Sequence, residues 1–380
     1  MTRDSRRAPL GAWPRTRVAE RLGTAYPIVQ GPFGGGLSTV GLAAAVSDAG
    51  GLGSFGAHQV EPDEMAPLVE ALRAATGSPF AVNLWVSTHD APEEWMTAER
   101  FESAARRLRP VYEAAGVEAP PRPARFSATF EEQVEALVAA APPIVSVVFG
   151  VPDDAVLGEC RERGIATIGT ATTPDEAVAL DDAGVDVVVA SGFEAGGHRA
   201  AFLAEPEESL FGTLPLVRIA ARELEAPVVA AGGIADAQGI VAAHALGAEG
   251  VQIGTAFLAT EESGASPAHR ELLFDRAARR TQLTRAFTGR LARGIPNRLS
   301  DELVGPDAIA PYPYQRHLLG PASRAARRDG RSDVIALWTG QGAPLLSHRR
   351  ARNLFEALVA GTQGMLDDLR RGVAEAPDPG

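Results

Sequence analysis

The chain of 380 residues is 45% hydrophobic and 22% charged, with 40 glycines, enough for one large globular domain and a smaller one. Its 36 basic and 48 acidic residues give a formal charge of −12, which argues against a general nucleic-acid-binding surface; no apolar run reaches the ~18 residues that span a membrane, and residues 1–21 lack the apolar stretch of a secretory signal, so a soluble cytoplasmic protein is expected. All the basic residues are arginine, which excludes lysine Schiff bases and pyridoxal phosphate anchoring, and the single Cys160 excludes an internal disulfide and a cysteine-rich metal site.

Residues 1–12 are expected to be disordered. Beyond them, short apolar runs alternate with helically spaced segments. Strands are expected at Pro27–Gln30, Gly51–Phe55, Phe80–Val86, Ile144–Phe149, Ile165–Gly169, Val185–Ala190, Pro227–Ala231 and Gly250–Ile253. Helices are expected at Leu42–Asp48, Glu61–Thr76, Pro174–Ala183 and Ala237–Leu246. Such alternation means a parallel α/β sheet, and eight strands ending near residue 260 suit a (β/α)₈ TIM barrel built from 22–86 and 143–262. An open doubly wound sheet is the alternative, and Gly51-Leu-Gly53-Ser-Phe-Gly56 matches the dinucleotide fingerprint as a string. Those glycines lie within an expected strand and no helix follows directly, so the string is not read as that motif.

Residues 87–142 far exceed a ~2–6 residue connection: they carry Trp95, a helical stretch near Glu99–Leu108 and the proline-rich Ala119–Ala124. The chain after 262 is helical and arginine-rich. Segments 87–142 and 263–375 are therefore expected to pack together as a smaller, mainly helical second domain capping the barrel mouth, where an active site would lie. Cys160 falls in the helical stretch Asp153–Arg163 and reads as a small core residue.

The chemistry concentrates at strand ends. Behind the sixth strand, Gly196-Gly-His198 places an imidazole where the backbone approaches a ligand closely, suited to proton transfer near neutral pH. The seventh and eighth strands end in Gly232-Gly233 and in Gln252-Ile-Gly-Thr255, the positions where barrels often hold a phosphate. Phe33-Gly-Gly35 offers a side-chain-poor surface for a flat ring, and Asn83 is a polar residue in an apolar strand; together they suit a flavin better than a sugar phosphate. Turn glycines and a backbone-satisfying amide would explain each feature singly. The seven histidines show no ligand-like clustering and no His-Glu-x-x-His occurs, so no metal is expected.

These residues resemble the nitronate monooxygenases, formerly 2-nitropropane dioxygenases, in their bacterial class I branch. The resemblance runs from about Tyr26 to Arg350 and rests on Tyr26-Pro-Ile-Val-Gln30, Asp48-Ala-Gly-Gly-Leu-Gly53, Ala81-Val-Asn83, Val148-Phe-Gly150, Gly169-Thr-Ala171, Glu194-Ala-Gly-Gly-His-Arg199, Ala230-Ala-Gly-Gly-Ile234, Gly247-Ala-Glu-Gly-Val-Gln-Ile-Gly-Thr255, Thr288-Gly-Arg-Leu-Ala-Arg293 and Trp338-Thr-Gly-Gln341. It implies a barrel holding non-covalent FMN, with Phe33, Gly34 and Gly35 facing the flavin and Asn83 bonding its ring. It also implies that Gly196, Gly233, Gln252, Ile253, Gly254 and Thr255 line ring and phosphate, and that His198 is catalytic. Tyr312 and Gln315 are expected to reach the substrate. Ser191 stands where similar enzymes carry a glutamine contact to the flavin, and Ala200 replaces a common glycine. The implied reaction is oxidation of an alkyl nitronate by O₂ to a carbonyl compound and nitrite or nitrate. An FMN-dependent NAD(P)H reductase of quinones or enoyl-thioesters, and a flavin- or phosphate-binding protein without turnover, remain alternatives. The expected partners are a small-molecule substrate and O₂, with a homo-oligomer compatible with the reading.

Overall fold

Valine, isoleucine and alanine dominate eight short runs that become parallel strands in the computed structural model, which describes residues 13–87 and 90–374. In chain order the strands are β1 (Ile28–Gln30), β2 (Gly53–Gly56), β3 (Phe80–Trp85), β4 (Ile144–Val148), β5 (Ala166–Ala171), β6 (Val187–Ser191), the two-residue β7 (Gly197–His198), β8 (Val228–Ala231), β9 (Gly250–Ile253), β10 (Gln282–Thr284) and β11 (Ala292–Gly294). The main sheet runs β1-β9-β8-β6-β5-β4-β3-β2. Its ends meet where Val29 bridges Leu52: Gln30 N–H donates to Leu52 O and Leu52 N–H to Ile28 O, both at 2.9 Å. The result is a nearly closed, TIM-like barrel, and each expected strand is present with its ends displaced by two residues at most.

Val29, Leu52, Ala81, Ile144, Ile168, Val187, Val189 and Val229 fill the barrel interior, joined by Val18 and Leu22 of the helix Arg17–Leu22. That helix sits at the strands' N-terminal ends, since a Cβ on Gly250, the first residue of β9, would lie 3.0 Å from Val18. The other end is left open for a ligand. The glycine string around β2 records close packing rather than a phosphate turn: a Cβ on Gly53 would sit 1.9 Å from Ala43 O in the helix Val40–Asp48, and one on Gly51 2.4 Å from the Phe355 ring.

Outside the barrel, Leu42, Val46, Leu180, Leu216, Val217 and Ile240 share a cluster with Leu354, Phe355 and Leu358, so the C-terminal helix Ala351–Ala374 belongs to the layer around the barrel. A separate cluster joins Phe101, Leu108 and Tyr112 of the long insertion after β3 to Leu273, Leu299, Leu318, Leu319 and Ile335. The insertion and the later segment thus bury one another's apolar faces. Cys160 is buried, and burial pushes its thiol up to about 11. The expectation for residues 1–12, and residues 88, 89 and 375 of the expected cap, lie outside the described residues. Among the described residues no helix is long and apolar enough to cross a membrane.

Candidate active site

The C-terminal strand ends open into a cavity of about 530 Å³, within the ~300–1,000 Å³ range of small-molecule sites. Phe33, Gly34, Gly35, Asn83, Ser191, Gly196, His198, Gly232, Gly233, Gln252, Gly254, Thr255 and Tyr312 all line it. Two expected residues do not. Ile253 is fully buried in the barrel wall and meets its neighbours through its carbonyl, which accepts from Gly31 N–H at 3.0 Å. Gln315 is spent on the backbone: its Oε1 accepts from Ala310 N–H at 3.0 Å and its Nε2 donates to Ala286 O at 2.8 Å. The helix start after β8 is also committed, because Asp236 caps it by accepting from Gly239 N–H at 2.9 Å. An anion there would be met by the glycine backbone, Gly232 at φ +108° and Gly233 at φ +72°, conformations that favour glycine.

His198 does not sit in a free loop. It belongs to β7, which pairs antiparallel with β11, opposite Ala292, and β11 pairs in turn with β10. The turn leading to it is wedged in place: both Glu194 carboxylate oxygens accept from Thr213 N–H at 3.0 Å, and a Cβ on Gly196 would lie 2.5 Å from Gly340 N. The first glycine of the pair is therefore required by packing as well as by access. His198 Nε2 lies 2.9 Å from Thr288 Oγ1. Its ring stands edge-on to Trp85 at 5.0 Å and lies 5.2 Å from Trp338. Burial, reinforced by Arg290 and Arg316, pushes its pKa down to about 3, so the imidazole is neutral at physiological pH.

Several site residues gave no local signal in the sequence. His58 stacks flat on Trp85 at 3.6 Å, so two histidines that are far apart in the chain flank one indole. Gly34 leaves room for that stack: a Cβ there would be 1.8 Å from His58 Cε1. Burial, then Arg316, His198 and Arg290, hold His58 well below the usual histidine range. Arg290 lies 3.8 Å over the Phe149 ring and 4.4 Å over Tyr312, pairs with Asp90, and donates to Ser87 Oγ at 3.1 Å. Phe149 itself is held at φ +66°, strained for a non-glycine residue. Arg316 completes the wall and donates to Gln59 Oε1. Thr288 and Arg290 lie in the quoted Thr288–Arg293 motif, but nothing in its spacing places Thr288 beside His198, 90 residues earlier in the chain.

The polar groups at the barrel mouth are fixed by hydrogen bonds within the protein. Asn83 Nδ2 donates to Ser146 Oγ at 3.0 Å, which fixes the amide under the cavity. Arg199 donates to Ser191 O at 2.6 Å and to Thr172 O at 2.7 Å, tying the ends of β5 and β6 together. Thr255 Oγ1 accepts from Gly340 N–H at 2.8 Å. A glycine-walled slot with an amide at one end and left-handed glycines at the other has the shape and donor set for a flat ring carrying a phosphate tail.

A family model described as nitronate monooxygenase matches residues 15–361. A probable nitronate monooxygenase of Staphylococcus saprophyticus is 38% identical over 347 residues, covering 90% of this chain and 96% of that protein. The solved structure of a nitroalkane oxidase from Streptomyces ansochromogenes superposes with a TM-score of 0.84 at 38% identity, covering 93% of this chain and all of that one. FabK from Thermotoga maritima superposes with a TM-score of 0.71 at 28% identity, covering 94% of this chain and 98% of that one.

Proposed function

Because the chain belongs to the nitronate monooxygenase family of oxidoreductases, whose members are flavoproteins, we propose that it binds FMN in this cavity and oxidises an alkyl nitronate with O₂ to a carbonyl compound and nitrite or nitrate. One observation carries the reading: a neutral, buried His198 faces a glycine-walled slot whose described lining includes arginine but no aspartate or glutamate. Such a cavity attracts an anion and leaves the imidazole to hydrogen-bond it.

Bound FMN supplies the redox chemistry. The chain supplies the rest. Gly232, Gly233, Gly254 and Thr255 would hold its phosphate, and Phe33 to Gly35, Gly196, Asn83, Ser191 and Gln252 would hold its ring. Thr288 holds His198 through Nε2, which leaves Nδ1 for the substrate. A base held near pKa 3 takes a carbon-bound proton poorly, so the arrangement favours a substrate that arrives already deprotonated. The charge of a bound nitronate then raises the imidazole pKa by direct attraction. Trp85, Phe149, Tyr312 and Trp338 wall the reaction from water. The helices of 98–115 and 267–328 act as the cap over this mouth.

The test is to denature purified protein and identify what it releases, then assay the FMN-reconstituted protein for nitrite and carbonyl product from simple alkyl nitronates. Release of FMN and formation of both products is expected. Recovery of FAD, or FMN-loaded protein that turns over no nitronate in the panel, refutes the proposal.

A further inference from the structure

The helix Tyr314–Arg328 lays Arg316, Gly320, Ser323, Arg324 and Arg327 along one face, and all five line the cavity. At 1.5 Å of rise per residue, the stripe from Arg316 to Arg327 runs about 16 Å outward. Its inner end lies beside Gln59, within electrostatic reach of His198; its outer residues, Arg324 and Arg327, are exposed at the mouth. Gly320 gives Arg324 room to lie along the helix, since a Cβ there would sit 3.1 Å from an Arg324 guanidinium nitrogen.

The arginines that point elsewhere are paired. Arg328 meets Asp329 at 3.0 Å and Arg331 meets Asp333 at 2.8 Å. Among the described residues, Arg316, Arg324 and Arg327 have no ion-pair partner, and the described cavity wall holds no carboxylate, although the chain carries a net charge of −12. Unpaired cations on one wall of a ligand cavity in an acidic protein call for an anion supplied by the ligand. A small nitronate beside His198 uses the inner end alone. Arg324 and Arg327 stand about 12–16 Å further along the helix axis than Arg316, too far for the same small anion.

We propose that Arg324 and Arg327 form a subsite for the phosphate groups of an elongated ligand whose reactive end reaches the aromatic wall around His198. Phe126 and His317, packed at 5.3 Å beside the stripe and also lining the cavity, offer a surface for a flat group on that tail. Two sources carry this chemistry: the pyrophosphate of a pyridine dinucleotide and the phosphorylated tail of a pantetheine thioester. The proposal rests on the cavity being a ligand site and not on nitronate being its substrate.

The experiment is calorimetric titration of the FMN-loaded protein with NADPH, coenzyme A, inorganic pyrophosphate and adenosine. NADPH or coenzyme A is expected to bind, to be displaced by pyrophosphate, and to weaken as salt rises. Whichever of the two binds more tightly identifies the source. The double variant Arg324→Ser/Arg327→Ser should weaken that binding roughly tenfold, as expected for two exposed charge contacts. Arg328→Ser, which removes a paired, outward arginine, should leave it unchanged, and both proteins should keep wild-type FMN content. Adenosine binding as tightly as NADPH, no phosphorylated probe binding, or a double variant with wild-type affinity would overturn the subsite. Loss of nitronate turnover in the wild type alone bears on the proposed reaction and leaves the subsite standing.

Discussion

His269 offers a direct reading of how tightly the wall around His198 is built. It is 2% exposed, its Nε2 lies 3.0 Å from Trp338 O, and Trp338 in turn packs against His198. Burial is the main cause that lowers its pKa to about 4, with Arg327 and Arg270 adding to it against the opposing bond to Trp338. The unfolded chain then takes up a proton near pH 6.5 that the folded protein refuses until about pH 4, so stability is complete above pH 6.5 and falls as pH drops through that window. Between pH 6.5 and 5 the loss from this one residue is about 2 kcal/mol, at 1.36 kcal/mol per unit. Carboxylates held low, such as Glu207, begin to add acid sensitivity only below their ordinary value of 4.5, so the window isolates histidine. Urea denaturation of wild type and His269→Gln at pH 7 and pH 5 should show the variant losing about 2 kcal/mol less on acidification, because glutamine keeps the donor to Trp338 without titrating. An unchanged pH dependence in the variant would show that His269 is not held neutral, and the account of a dry wall behind Trp338 would fail.

Three further outcomes follow from the same geometry. Gly34→Ala should push His58 off its stack on Trp85, destabilise the protein by roughly 1–3 kcal/mol and weaken FMN binding; wild-type melting and wild-type FMN affinity would contradict the packing assigned to Gly34. Ser191→Gln should shift the flavin potential and the order of nitronate preference while FMN stays bound, since one neutral hydrogen bond contributes only about 0.5–1.5 kcal/mol; a redox titration and a substrate panel identical to wild type would remove Ser191 from the site. Because His198 is already neutral well above pH 3, kcat/KM for a preformed nitronate should be level from pH 5.5 to 8; an inflection near 6.5 in wild type that vanishes in His198→Asn would place the imidazole at its ordinary value.

The barrel was legible because β-branched runs buried on both faces leave a continuous apolar signature, and glycine pairs at strand ends mark where backbone must approach a ligand. The dinucleotide-like string near Gly53 has no helix directly after it, and its glycines answer instead to Ala43 and Phe355 packed against them. What could not be read was partnership. His58, Trp85, Thr288, Arg290 and Arg316 come from distant segments with no shared period, and only folding brings them around His198. The seven histidines show no pattern along the chain, yet two of them flank one tryptophan. Gln315, which the family resemblance sends toward the substrate, is turned by its helix onto Ala286 and Ala310 instead.

The central claim is that the cavity beside His198 is where an anionic nitronate is oxidised. The most direct measurement is O₂ uptake at pH 7 by FMN-loaded wild type and His198→Asn, each given ethylnitronate and, separately, neutral nitroethane. Wild type should consume O₂ with ethylnitronate far faster than with nitroethane, and His198→Asn should retain FMN while losing more turnover on the nitronate, whose charge the imidazole meets, than on nitroethane. Equal small losses on both substrates, or no nitronate-dependent O₂ uptake by FMN-loaded wild type, would contradict the account.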